Sequence, residues 1–367
     1  MESLEAACDN LTPSPLTVLA SLKVNIAPAV IATTMSTSTV SYDLFHSYPG
    51  SPSSGASNTL ANEPFDDEGA DIIIRTADGT DFMVYKFILA RASPFFKKMF
   101  SIPQPPGADE IPHLIPVAED EKTIDTILRI CYPDSNPPFD DTQAELVMEA
   151  GRKYDIGVVE AYFKAGVISL ASSQPVKAYG LAYRGNLKEE AQAAAAFSLR
   201  FSLQELLVKE GSQFQHLPGM AIRGLVHYHI QCRDAAYKVV DDWSWITQDR
   251  RRDEDHGVPN RWWFQDDHSN LACRSSVLLP AVGRWVHVWL KKFTDDLKLS
   301  IAMPGTPLGQ LDTCVAIMTA FLAGTASQCQ VCREAAGAGV PQAHAALLNA
   351  IHNAQSKVKL DLTQMPL

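Results

Sequence analysis

Residues 70–100 read ADIIIRTADGTDFMVYKFILARASPFFKKMF. The β-branched run Ile72-Ile73-Ile74 predicts a strand, Asp78-Gly79 a hairpin turn, and Phe82-Met83-Val84 the return strand. Lys86 to Ala92 reads as a helix. Ser93-Pro94 then starts another, because Ser caps exposed amides and Pro suits the first helical position. Phe95, Phe96, Met99 and Phe100 form its apolar side and are expected in the core. Asp71 opens the unit and Lys86 sits at its middle.

The pattern continues downstream. Residues 101–113 hold four Pro and one Gly and are expected to form a loop. Leu114 to Val117 predicts a third strand, and acidic Glu119-Asp120-Glu121 suits the start of a helix carrying Ile124, Ile127, Leu128 and Cys131. A further helix is predicted from about Asp140-Asp141, with Leu146, Val147, Ala150 and Tyr154 on one face, and another over Val158 to Leu170. The order is hairpin, helix pair, strand, helices.

These residues in this order resemble the BTB/POZ domain. The resemblance rests on Asp71-Ile72-Ile73-Ile74, Phe82, a basic residue at Lys86, then Leu89, Ser93, Phe96, Met99 and Phe100. RICYPDSNPPFD (129–140) and VMEAGRKYDI (147–156) resemble the later helices. Tyr85-Lys86 with SPFF and PQPP is similar to the form common in basidiomycete (mushroom-type) fungal families. Relatives usually carry His where Tyr85 stands, and Tyr keeps a polar tip on an aromatic body.

The resemblance implies an α+β fold: a small sheet with surrounding helices over residues 65–173. It implies a charged pocket near a subunit interface formed by Asp71, Tyr85 and Lys86, and hence self-association. Residues 174–215 resemble the helical extension of cullin-binding adaptors. The matching hydrophobic-x-Glu motif has one weak counterpart in Ala108, Asp109 and Glu110, whose first residue is barely hydrophobic.

Around this unit, residues 1–64 are rich in Ser, Thr and Pro and are expected to be a disordered tail. Residues 216–367 are expected to be a mainly helical C-terminal domain holding all six Trp. Trp285 and Trp289, four apart, are read on a helix starting at Pro280.

The formal charge of −11 argues against unspecific binding to nucleic acid or anionic membranes. Seven scattered Cys do not form a disulfide framework, which points to a reducing, nuclear or cytoplasmic setting. No apolar run is long enough for a transmembrane helix.

Cys329 and Cys332 have the spacing of half a zinc site, which Cys273 and His268 would complete. Free thiols are the preferred reading, and no cofactor is expected. His227-Tyr228-His229 lacks a third ligand nearby and reads as two ordinary histidines. There is no Gly-x-Ser-x-Gly, phosphate loop, His-Glu-x-x-His or dinucleotide fingerprint. The expected function is therefore protein–protein interaction, as a scaffold or adaptor that self-associates or stays monomeric, and not catalysis. The alternatives are a cullin-type ubiquitin-ligase substrate adaptor and a zinc-binding regulatory domain with a transcription-related role.

Overall fold

A computed structural model describes residues 59–102, 112–133, 136–243, 245, 276–279, 284–311 and 344–362. The expected disordered tail lies almost wholly outside the described residues.

The chain enters through β1 (Thr59–Leu60), β2 (Ile72–Arg75) and β3 (Thr80–Val84). Helices α1 (Lys86–Ala92) and α2 (Pro94–Phe100) precede β4 (His113–Pro116). The sheet runs β1-β3-β2-β4, with β2 antiparallel to β3 and parallel to β4. Gly79 turns the hairpin at φ 90°, a conformation that glycine adopts without steric cost.

Strand alternation sorts the side chains. Ile72, Ile74, Phe82 and Val84 face a core shared with Leu89 and Phe96, while Ile73 and Met83 pair on the other face.

Three helices close this core: α3 (Glu121–Cys131), α4 (Ala144–Lys153) and α5 (Gly157–Ala171). Asp120 caps α3 by accepting the Thr123 N–H at 2.8 Å. Asp78, from the hairpin turn, accepts the Glu121 N–H at 3.1 Å, so the hairpin and the helix fix each other. Ser93 caps α2 as its sequence predicts, accepting the Phe96 N–H at 3.0 Å, and its hydroxyl donates to the Tyr154 carbonyl at 2.5 Å. The helix expected from Asp140 starts later, at Ala144. Asp140 instead folds onto its own chain, accepting the Thr142 N–H at 2.9 Å. Leu146, expected inside, is exposed.

Helix α5 is largely apolar, and apart from an exposed strip through Val158, Ala161, Ala165 and Ser169 it packs into two cores. Val159 belongs to the first core; Phe163, Val167 and Ala171 belong to a second, helical core. That second core is built with α6 (Pro175–Arg184), α7 (Lys188–Ser198), α8 (Leu203–Lys209), α9 (Gly211–Gln215) and the long α10 (Gly219–Asp242). Ala191, Ala194 and Ala195 let α7 lie close to its neighbours. Ser202 and Glu205 form a reciprocal capping box on α8.

Gly166 allows the close approach of Phe139 to α5: an added Cβ would lie 2.0 Å from Phe139 Cδ2. Alanine is the better helix former by about 1 kcal/mol, but the ring would have to be displaced. Gly166→Ala is therefore expected to destabilise by about 1–2 kcal/mol net, read as a lower urea midpoint.

Near the C-terminus, β5 (Ser276–Leu279) pairs antiparallel with β6 (Arg284–His287), and α11 (Val288–Ala302) follows. Trp285 thus lies in a strand, and the helix begins eight residues after the expected Pro280. Pro and Gly are residue types that favour turns, and their presence at 280 and 283 between Val277-Leu278-Leu279 and Trp285-Val286 is a sequence signal for a hairpin over a helix start. Leu290, Phe293, Leu297 and Ile301 line one side of α11 and join the helical core, as does the helical segment 344–355 through Leu347 and Ile351.

Candidate protein-interaction site

The site grows from the junction of β3 and α1. Tyr85 occupies the cap position of α1 but offers its first turn no side-chain acceptor. Asp71, just before β2, supplies one, its carboxylate accepting the Lys86 N–H at 2.7 Å. The sequence therefore brings Asp71 and Lys86 together, but through the lysine backbone. The Lys86 ammonium lies 5.3 Å from the centroid of the Phe100 ring, which ties the start of α1 to the end of α2.

Tyr85 completes the junction. Its N–H donates to the Tyr132 hydroxyl at 3.0 Å, and its own hydroxyl donates to Asp67. That bond, with a second from the Gly69 N–H, holds the Asp67 carboxyl below its usual range. Asp71→Ala is expected to destabilise by about 1 kcal/mol, whereas Asp71→Asn, which keeps an acceptor oxygen, should cost less. Thermal melts of the two variants check the order.

Outward from this junction, the two helices present side chains that the periodicity did not single out. Leu89 and Phe96 are buried; Phe87, two positions before Leu89, points to the opposite side of α1, and Phe95, one position before Phe96, points about a quarter-turn away on α2. Phe87 is 78% exposed and Phe95 44% exposed, although Phe95 was expected inside. Phe95 rests its ring against Tyr154, 5.7 Å between centroids, and leaves its outer edge in solvent. The helical angle to Leu89 carried the signal for Phe87. For Phe95, two adjacent Phe on a short helix cannot both face inward.

Around these rings stand Arg91, Lys97 and Lys98, all exposed. Among the described residues, none of the three has a carboxylate within ion-pairing distance.

The remaining sequence-derived site residues fall elsewhere. Ala108, Asp109 and Glu110 lie outside the described residues, as do the zinc-ligand set Cys273, Cys329, Cys332 and His268. Among the described residues, no group of three or more His, Cys, Asp and Glu could hold a metal ion.

The described thiols are not activated. Burial pushes Cys131 up to about 12 and Cys232 up to about 11, the opposite of what a nucleophile requires. His227 is exposed and His229 buried, so α10 carries the two imidazoles apart.

A hairpin, a helix pair with a Ser cap and a strand returning parallel to β2 now stand together with the helices that close them. Residues 61–165 match the BTB/POZ domain. A search of curated proteins finds no match to the chain. The BTB/POZ domain is a protein–protein interaction module, a non-enzymatic fold that mediates contacts between chains and self-association. Its matched span ends within α5, so the helices beyond lie outside the match. Among the described residues, no helix is long and apolar enough to cross a membrane.

Proposed function

We propose that the chain is a non-enzymatic scaffold or adaptor, nuclear or cytoplasmic, whose BTB/POZ domain recruits protein partners and presents them to the helical body built on α5. One observation carries this reading. The domain exposes Phe87 and Phe95 on paired helices, while the thiols described in the chain are raised out of the reactive range. Solvated aromatic side chains on an ordered helix pair are what a partner surface requires, since aromatics dominate binding energy once covered.

Self-association is part of the proposal, with Asp71, Tyr85 and Lys86 near the subunit contact. In sedimentation, Asp71→Asn should reduce the associated fraction more than it lowers the melting temperature, and an unchanged fraction removes that role. For the broader reading, the chain in a native extract should elute well above its own 40.2 kDa together with other proteins. Elution as a lone monomer would sink it.

The consecutive helices α6 and α7, placed after the domain and packed with α5, favour a second reading: an adaptor that docks a cullin. Capture by purified cullin separates the two. The Tyr85-Lys86 and SPFF residues support a basidiomycete affiliation.

A further inference from the structure

Residues 86–100 contain Lys86, Arg91, Lys97 and Lys98 and no acidic residue, in a chain of net charge −11. In α1, Phe87 and Arg91 are four apart on the side opposite buried Leu89, and both are exposed. In α2, Phe95 and Lys98 are three apart beside buried Phe96, and Lys97 flanks them. Three other cations of this domain are matched, since Arg75 holds Asp81 at 2.7 Å, Arg129 holds Asp125 at 2.8 Å and Lys153 holds Glu119 at 2.7 Å. Lys122 on α3 and Arg152 on α4 have no ion-pair partner among the described residues but stand singly. The outer surface of α1 and α2 therefore combines solvated aromatic rings with cations that have no ion-pair partner among the described residues.

We propose that this surface docks an acidic segment of another protein, one that carries aliphatic or aromatic side chains between its carboxylates. The inference rests on the interaction-module reading and adds the chemistry of the partner. Charge complementarity selects the occupant. A second copy bound through the same patch by a twofold axis would set Arg91, Lys97 and Lys98 against their own counterparts, and like charges across a contact are repulsive. An acidic segment meets the opposite potential, and its apolar groups cover Phe87 and Phe95.

The test uses the full chain and a fluorescein-labelled peptide of Glu, Leu and Phe, followed by anisotropy. Its controls are a twin peptide with Lys in place of Glu and a single-stranded oligonucleotide of equal charge. The acidic peptide should bind, and more weakly as salt is added. The Lys twin should not bind, and the oligonucleotide should bind less tightly. Charge reversal at three exposed positions (Arg91→Glu, Lys97→Glu, Lys98→Glu) should weaken the acidic peptide by about tenfold or more. Phe87→Ser should weaken it while leaving the melting temperature near that of the parent.

Equal binding of both peptides, full retention by the triple variant, insensitivity to salt, or preference for the oligonucleotide would each overturn the proposal. The salt titration needs no variant, so it decides even if the triple variant fails to fold. If native complexes persist with the triple variant, the interaction-module reading stands and only this surface is lost.

Discussion

Phe163→Ala is expected to lower the unfolding free energy by about 3–5 kcal/mol, the range for removing a fully buried aromatic side chain. Phe163 is 1% exposed and sits on α5, four residues after Val159. Val159 belongs to the BTB/POZ core and Phe163 to the helical core, so one helix carries both. The loss should therefore reach the sheet as well as the helices.

Two probes separate the regions. All six Trp lie beyond residue 242, so their fluorescence reports the C-terminal part, whereas amide exchange in β2 and β3 reports the sheet. Both should move to lower denaturant together. A shift of Trp fluorescence with unchanged exchange in Ile72–Arg75 would show that the two cores are energetically separate.

Acid should destabilise the chain through His229. Its Nε2 lies 2.7 Å from the Ser198 hydroxyl, which itself donates to the Ala195 carbonyl at 2.7 Å, so the ring nitrogen is placed as the donor. Burial, and then the Arg233 guanidinium one turn along α10, lowers the imidazole from 6.5 to about 4. The folded pKa is depressed, so the unfolded chain takes up a proton first as pH falls. The contribution is whole above pH 6.5 and disappears as the pH drops towards 4.

The full difference is about 3 kcal/mol, of which about 2 should be gone at about pH 5. His229→Gln keeps a donor but no titrating group. Urea melts near neutrality and near pH 5 should show a smaller acid loss for this variant than for the parent. Equal losses would mean that His229 is not the group responsible.

Much of the BTB/POZ architecture was legible from residue order. The β-branched run Ile72 to Ile74 and the apolar run Phe82 to Val84 flank Asp78-Gly79, and Ser93-Pro94 starts a helix by local capping, so short-range rules suffice for both. The C-terminal hairpin carried a signal that helical spacing masks. Trp285 and Trp289 share helical spacing, but four residues with Pro and Gly between two apolar runs decide for strands.

The site was half legible. The sequence marks Asp71 and Lys86, but their link is a carboxylate just before β2 that caps α1, which sequence separation hides. Phe95 looked like core because hydrophobicity alone does not say which of two adjacent rings finds room inside.

By itself, the sequence determined the strand–turn–strand hairpin, the Ser-capped start of α2 and the excess of cations over acids in residues 86–100, since each depends only on neighbours along the chain. The tertiary structure alone decided that α5 serves two cores, that Asp71 caps α1 and that Phe95, not Phe96, faces water. Those outcomes depend on which surfaces meet, and burial is a property of the assembled neighbours, not of the residue type.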